Sequence, residues 1–268
     1  MKKLLCISAA IFCLLKTETL AQDFSFGFKS GWNTSSVAGY DSKFTIPVLN
    51  REVTAQSVSG FTGGAFISYN FLPWLGIQTE AIYAKKGAIY SDEIPIAISD
   101  FITFPLPLPI PPSSLKFHSE YTGKYLEVPL LIKFTAPFDF PLKPVFYTGP
   151  NFAFLMSKSQ NTTYESELFN LIPAGFIDVK SFFPPADFSL KSMDFGWTVG
   201  GGAEYELLKS MAIGADVRYT MGFKSAVDSV SFQSSSSFPG APAQSFSQEN
   251  PDIRHRSLSI MGTLQYKF

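Results

Sequence analysis

The closing stretch of the chain alternates strictly. Leu258, Ile260, Leu264, Tyr266 and Phe268 fall on one side, and Ser259, Thr263, Gln265 and Lys267 on the other. A period of two marks a β-strand with two unlike faces, and helical spacing cannot produce it. The alternation recurs over residues 211–224, where Met211, Ile213, Val217, Tyr219 and Met221 oppose Asp216, Arg218 and Lys224. It runs again over 194–207, with Phe195, Trp197, Val199, Tyr205 and Leu207 opposite Thr198, Glu204 and Glu206. Noisier versions cover 121–135, 74–87, 61–70 and 24–34. An apolar stretch at 144–157 completes a set of eight predicted strands, with its register left open.

The connections sort by length. Short ones fall near Leu72-Pro73, Ala136 to Leu142 and Leu208 to Ser210; long ones, at 35–60, 88–120, 159–193 and 225–253, alternate with them. Outer-membrane barrels have an even strand number, short periplasmic turns and long outer loops. The pattern therefore predicts an all-β fold: an eight-stranded antiparallel up-and-down transmembrane β-barrel with four long extracellular loops and both termini on the periplasmic side. Gly200, Gly202, Gly214 and Gly222 lie on the polar face, where small residues make room for long inward side chains. Pro129 falls inside a strand that has no free edge, so a bulge is expected there.

Composition sharpens this reading. Aromatic residues make up 16% of the chain, 28 of them Phe, while charged residues make up only 16%, against about 25% in soluble domains. No segment after the first residues holds 18 consecutive apolar positions, so a membrane helix is not on offer. Lys2 and Lys3, the apolar run Leu4 to Leu15 and the small Ala21 are laid out as a secretory signal peptide, 1–21, ahead of a barrel domain, 22–268. Cleavage would remove both cysteines, Cys6 and Cys13, and with them any disulfide or thiolate chemistry. It would also take Lys2, Lys3 and Lys16 from the 21 basic residues and Glu18 from the 22 acidic ones, leaving a net charge of −3. That balance excludes a basic nucleic-acid-binding face.

Several segments resemble the PorT-like outer-membrane β-barrel family. They are FGFKSGWNTS, LGIQTEAIYAKKGA, YLEVPLLIKF, YTGPNFAFLMS, DFGWTVGGGAEYEL with IGADVRYTMGF, and LSIMGTLQYKF. YLEVPLLIKF and YTGPNFAFL are the most specific of these. The resemblance implies a single eight-stranded outer-membrane barrel, a family whose founding member is associated with a protein-secretion and gliding machinery. It carries no set of functional residues onto this chain.

Candidate chemistry lies on the polar face. Lys29, Glu80, Lys86, Glu127, Lys133, Glu204, Glu206, Asp216 and Arg218, with Lys224 and Lys267, are expected inside the barrel. They could form a solute or proton path, or an ion-paired filling, since eight strands leave just enough room for side chains. Trp32, Tyr83, Trp197, Tyr205, Tyr219, Tyr266 and Phe268 are expected outside as interface aromatics, and the terminal Phe268 fits a signal for the barrel-insertion machinery. His255 near Ser257 and Asp252 makes a weak catalytic grouping, because no nucleophile-elbow pattern accompanies it. His118 with Glu120 makes an equally weak metal hint, because two ligands are not a site. No catalytic residue, metal or cofactor is expected. The run Phe101 to Pro112 suits polyproline II and either a partner surface or a cover folded over the barrel mouth with the other loops, Ser231 to Pro251 reads as a flexible linker-like loop, and the NTT sequon at Asn161 says little in a bacterial protein.

Three functional readings stand at this point. One is a non-enzymatic outer-membrane scaffold, bathed in outer-membrane lipid, whose loops meet a protein partner, such as a secretion or envelope assembly. The second is a barrel that handles small solutes or lipids. The third is a soluble periplasmic binding protein of lipocalin type, which would invert the faces assigned above.

Overall fold

The computed structural model describes residues 24–39, 43–46, 51–96, 113–137, 140–167, 187–234 and 244–268. The expected signal segment and the Phe101 to Pro112 run lie outside the described residues. Twelve strands follow in chain order: β1 (Phe24–Ala38), β2 (Lys43–Ile46), β3 (Arg51–Leu72), β4 (Leu75–Ile96), β5 (Ser113–Thr135), β6 (Leu142–Glu165), β7 (Asp187–Leu190), β8 (Met193–Leu208), β9 (Met211–Gly222), β10 (Val227–Ser234), β11 (Gln244–Glu249) and β12 (Arg254–Lys267). Eight of them pair in the order β1-β12-β9-β8-β6-β5-β4-β3, and β1 pairs again with β3, which closes the ring. Every pairing is antiparallel, and each predicted strand is one stave of this barrel. Leu72 faces Leu75 and Leu208 faces Met211, so two of the three short connections are tight hairpins.

The faces are those that the alternation requires. On β1, Phe28 and Trp32 are each 58% exposed, whereas Lys29 is 2% exposed. Apolar rows such as Phe26, Ile77, Leu130, Phe146, Val217, Ile260 and Leu264 stand outward all round the ring. A water-soluble barrel cannot carry this arrangement, because its apolar residues belong inside. The soluble lipocalin-type alternative is thereby overturned.

Three expectations need correction. First, the long connections are partly sheet. The staves β3 to β6 run to 22, 22, 23 and 24 residues and enter the supposed loops, while β8, β9, β12 and β1 have 16, 12, 14 and 15. The barrel therefore has one tall wall and one short wall. Second, the Ser-rich stretch is not a linker throughout. β10 and β11 form a hairpin, Ser229 facing Glu249 and Ser234 facing Gln244, and β7 joins it as a third strand. Val227 and Val230 supply the buried side that a serine count conceals. Third, Pro129 makes no bulge. Pairing with β4 lapses opposite Glu80 and Ala81 and resumes without a shift, so the missing N–H costs a ladder bond rather than a residue. The bulge lies nearby instead: Lys124 faces Ser157 and Tyr125 faces Leu155, leaving Met156 without a cross-strand partner. That extra residue shifts the parity only beyond Leu155; nearer the short turns β6 alternates strictly, and its register could not be read because both of its faces are largely apolar. Below the bulge, Val145, Tyr147, Asn151 and Ala153 point inward.

Candidate functional site

The bore is filled in layers. Its centre is a four-membered ion network from three staves. Lys29 on β1 contacts Glu80 on β4 at 3.2 Å and Asp216 on β9 at 2.8 Å, and Arg218 on β9 contacts the same two carboxylates at 2.6 and 2.9 Å. Gln78 donates to Glu80 as well, and the Tyr147 ring lies 4.8 Å from the Lys29 ammonium and 4.5 Å from the Arg218 guanidinium. Nearer the periplasm, Lys133 on β5 meets Glu204 on β8 at 2.5 Å. Nearer the outside, Lys86 on β4 meets Glu127 on β5 at 2.6 Å and approaches Asp194 on β8 at 3.8 Å. His255 on β12 places Nδ1 3.1 Å from Asp194 and its ring edge-on to Tyr125.

Period two brings these groups to one axis, and glycines make room for them. Gly200 faces Arg218, Gly202 faces Asp216, and Glu204 faces Gly214 across the β8–β9 ladder. A Cβ on Gly200 would lie 2.7 Å from the Arg218 Cγ, and one on Gly202 would lie 2.8 Å from the Asp216 Cβ. Desolvating a charge costs several kcal/mol unless it is paired, and every member of this set has an opposite partner within 4 Å. Lys29, Lys86, Lys133 and Arg218 meet Glu80, Glu127, Asp194, Glu204 and Asp216 among the described residues, and the fifth carboxylate, Asp194, is the one that His255 contacts.

Above the ions the filling turns apolar. Tyr90 on β4, Tyr121 on β5 and Phe188 on β7 stack, with Tyr121 and Phe188 centroids 4.5 Å apart and Tyr90 and Phe188 5.9 Å apart. Val53, Ala88, Val227, Val230 and Ile253 complete this buried cluster. The small β7-β10-β11 sheet thus reaches from above the short wall and lays Phe188 and Val230 against the inner face of the tall wall. Burial pushes the Tyr90 and Tyr121 phenols above their ordinary range. Gly87, with φ of +152°, lets β4 pass against Tyr121, whose carbonyl oxygen would stand 2.1 Å from an added Cβ.

Of the residues expected in the interior, three stand elsewhere. Glu206 and Lys267 meet at the periplasmic rim at 2.6 Å, the Glu206 side chain 37% exposed and also 3.1 Å from Lys143. Lys224 is exposed in the segment after β9. Asp194, His255 and Tyr147 were missed. Strand parity would have found the first two, since Asp194 shares the side of Thr198, and His255 that of Ser259; Tyr147 lay in the stave whose register was open. The His255, Ser257 and Asp252 grouping is not assembled, because Asp252 is held by Arg254 at 2.6 Å while His255 turns to Asp194. His118 is exposed on the outer face of β5, and Glu120 pairs with Lys85 at 2.8 Å. No group of three or more His, Cys, Asp or Glu is placed to hold a metal ion among the described residues.

The seven aromatics all point outward. Trp32, Tyr205, Tyr266 and Phe268 are exposed, while Tyr83, Trp197 and Tyr219 are partly covered by neighbours. Trp197 donates from Nε1 to the Thr148 hydroxyl at 2.9 Å. Asn161, too, stands on a strand, exposed on β6.

A closed ring with an apolar exterior and an ion-paired interior defines a small outer-membrane β-barrel. The chain belongs to the family described as outer membrane protein beta-barrel domain, whose match spans residues 20–228. Among solved structures it is similar to the outer membrane protein OprG from Pseudomonas aeruginosa, at 13% identity over 92% of this chain and 98% of that one, with a TM-score of 0.44. It is also similar to Neisserial surface protein A (14%, 91% and 97%, TM-score 0.36). A third likeness is to the outer membrane protease OmpT from Escherichia coli (11%, 92% and 97%, TM-score 0.37). No curated protein sequence matches this chain.

Proposed function

We propose that this protein is a non-enzymatic scaffold of the outer membrane that holds a rigid extracellular platform for a protein partner. The filled bore supports this reading best. A conduit needs a water-filled lumen, whereas here ion pairs occupy the axis and an apolar cluster covers the outer mouth. The tall wall and the β7-β10-β11 sheet then form the surface available outside. The proposal includes export with a signal peptide cleaved after Ala21, insertion guided by the terminal Phe268, and aromatic girdles formed by Trp32, Tyr83, Trp197, Tyr205, Tyr219 and Tyr266 at the lipid interfaces. It also includes a place in the PorT-like branch of the family, supported by YLEVPLLIKF and YTGPNFAFL, and hence a partner in a secretion or envelope assembly.

Cross-linked pull-down from outer membranes, followed by mass spectrometry, tests the proposal. A stable protein partner is expected, and deleting 235–243, which join β10 to β11 in the sequence, should reduce its capture while leaving the barrel folded. Recovery of a bound small solute or lipid from the bore, with no protein partner, would overturn it in favour of a solute- or lipid-handling barrel.

A further inference from the structure

On three staves, β4, β5 and β12, the outer face of the barrel changes character at one height. Leu75 to Lys85 on β4, Phe134 to Lys124 on β5 and Tyr266 to Arg256 on β12 each span ten residues along outward-facing rows. At about 3.3 Å per residue and a tilt of about 40°, that is a rise of about 25 Å from the periplasmic end. The apolar band of an outer-membrane barrel is about 25 Å tall. Lys85, Lys124 and Arg256 therefore stand at the outer edge of the band, where lipid headgroups begin.

Their surroundings are not those of ordinary surface cations. Lys85 and Lys124 face each other directly in the β4–β5 register, one row above Tyr83 and Leu126. Like charges directly opposite one another are destabilising; Glu120 offsets Lys85, whereas Lys124 has no such carboxylate among the described residues. The outer-surface carboxylates lie farther out, Glu120 taking Lys85 at 2.8 Å and Asp252 taking Arg254 at 2.6 Å. Lys124 and Arg256 are exposed and have no carboxylate partner among the described residues. Hydroxyls fill the same level: Ser157 faces Lys124, and Ser36 faces Arg256.

We propose that Lys85, Lys124 and Arg256 form a cationic collar that binds the phosphate groups of outer-leaflet lipids. The ammonium and guanidinium groups supply the charge, the neighbouring hydroxyls supply further donors, and the apolar rows beneath take the acyl chains. The collar ties the barrel at a fixed depth and needs nothing from the bore or the loops, so it stands whether or not the scaffold proposal does.

The test is retention of diphosphorylated lipid A against phosphatidylcholine by the full barrel refolded in neutral detergent, read by native mass spectrometry. Wild type is expected to retain lipid A in preference to phosphatidylcholine. Near a membrane surface each cation contributes about fivefold, so Lys124→Gln with Arg256→Gln should weaken retention about thirtyfold. Lys209→Gln, at the exposed periplasmic turn, should leave it unchanged, and Lys124→Arg with Arg256→Lys should preserve it. Heat-dependent gel mobility checks folding; should the double variant misfold, each single variant is expected to lose about fivefold. Equal retention of the two lipids, unchanged binding by the neutralised variants, or an equal loss in Lys209→Gln would overturn the collar.

Discussion

The lower bore and the outer mouth of this barrel are closed by opposite means. Below, charged side chains from five staves interlock, Lys29 with Glu80 and Asp216, Lys133 with Glu204. Above, Tyr90, Tyr121 and Phe188 stack in an apolar cluster. The two differ in what can be removed. An ion pair in a dry tube is an all-or-none device, because losing one partner strands the other in a low dielectric. An apolar cap sheds its members one by one, and the cap here is carried by a small sheet that is separate from the ring. The barrel core should therefore be brittle and the mouth dispensable for folding.

The largest effect is expected from Glu80→Ala. It leaves both Lys29 and Arg218 short of a buried partner, and should cost about 3–5 kcal/mol of barrel stability, measured by urea unfolding in lipid vesicles. A cost below about 1 kcal/mol would mean that water reaches the bore and screens these charges. Next is Gly200→Val, which drives a side chain into Arg218 and should cost about 1–3 kcal/mol by overpacking in the same assay. Lys267→Gln, at the half-open periplasmic rim, should cost less than about 1 kcal/mol, since exposed pairs are worth little. Phe188→Ala should move the barrel midpoint least of all. Its effect should instead appear as faster hydrogen exchange in β7 and β10, a local opening with the staves still protected. Loss of protection in β8 and β9 as well would show that cap and barrel are one cooperative unit.

The contrast also marks how far the sequence could be read. Strand count, faces and most of the ion network were legible, because a closed ring with one lipid face forces a strict period of two on every stave. Lys29, Glu80, Arg218 and Asp216 follow from parity alone once the ring is assumed. Where the two faces carry the same chemistry, legibility fails. β6 sets Val145, Tyr147 and Ala153 inward against Phe146 and Phe154 outward, so Tyr147, which lies against two of the central charges, could not be placed. The cap was invisible for a different reason. Phe188, Val230 and Ile253 come from segments with no periodic signal of their own, and they meet Tyr121 only because the ring brings distant connections to the same mouth. Glu206 shows the limit of parity from another side: it has the inward phase, but its height puts it at the rim beside Lys143 and Lys267.

The filled axis is open to a direct measurement. Purified protein in planar bilayers should give no ohmic conductance, and Phe188→Ala should be equally silent because the ion-paired layers still close the tube. Steady conductance from the wild type, or its appearance once the cap is loosened, would contradict a bore sealed by its own charges.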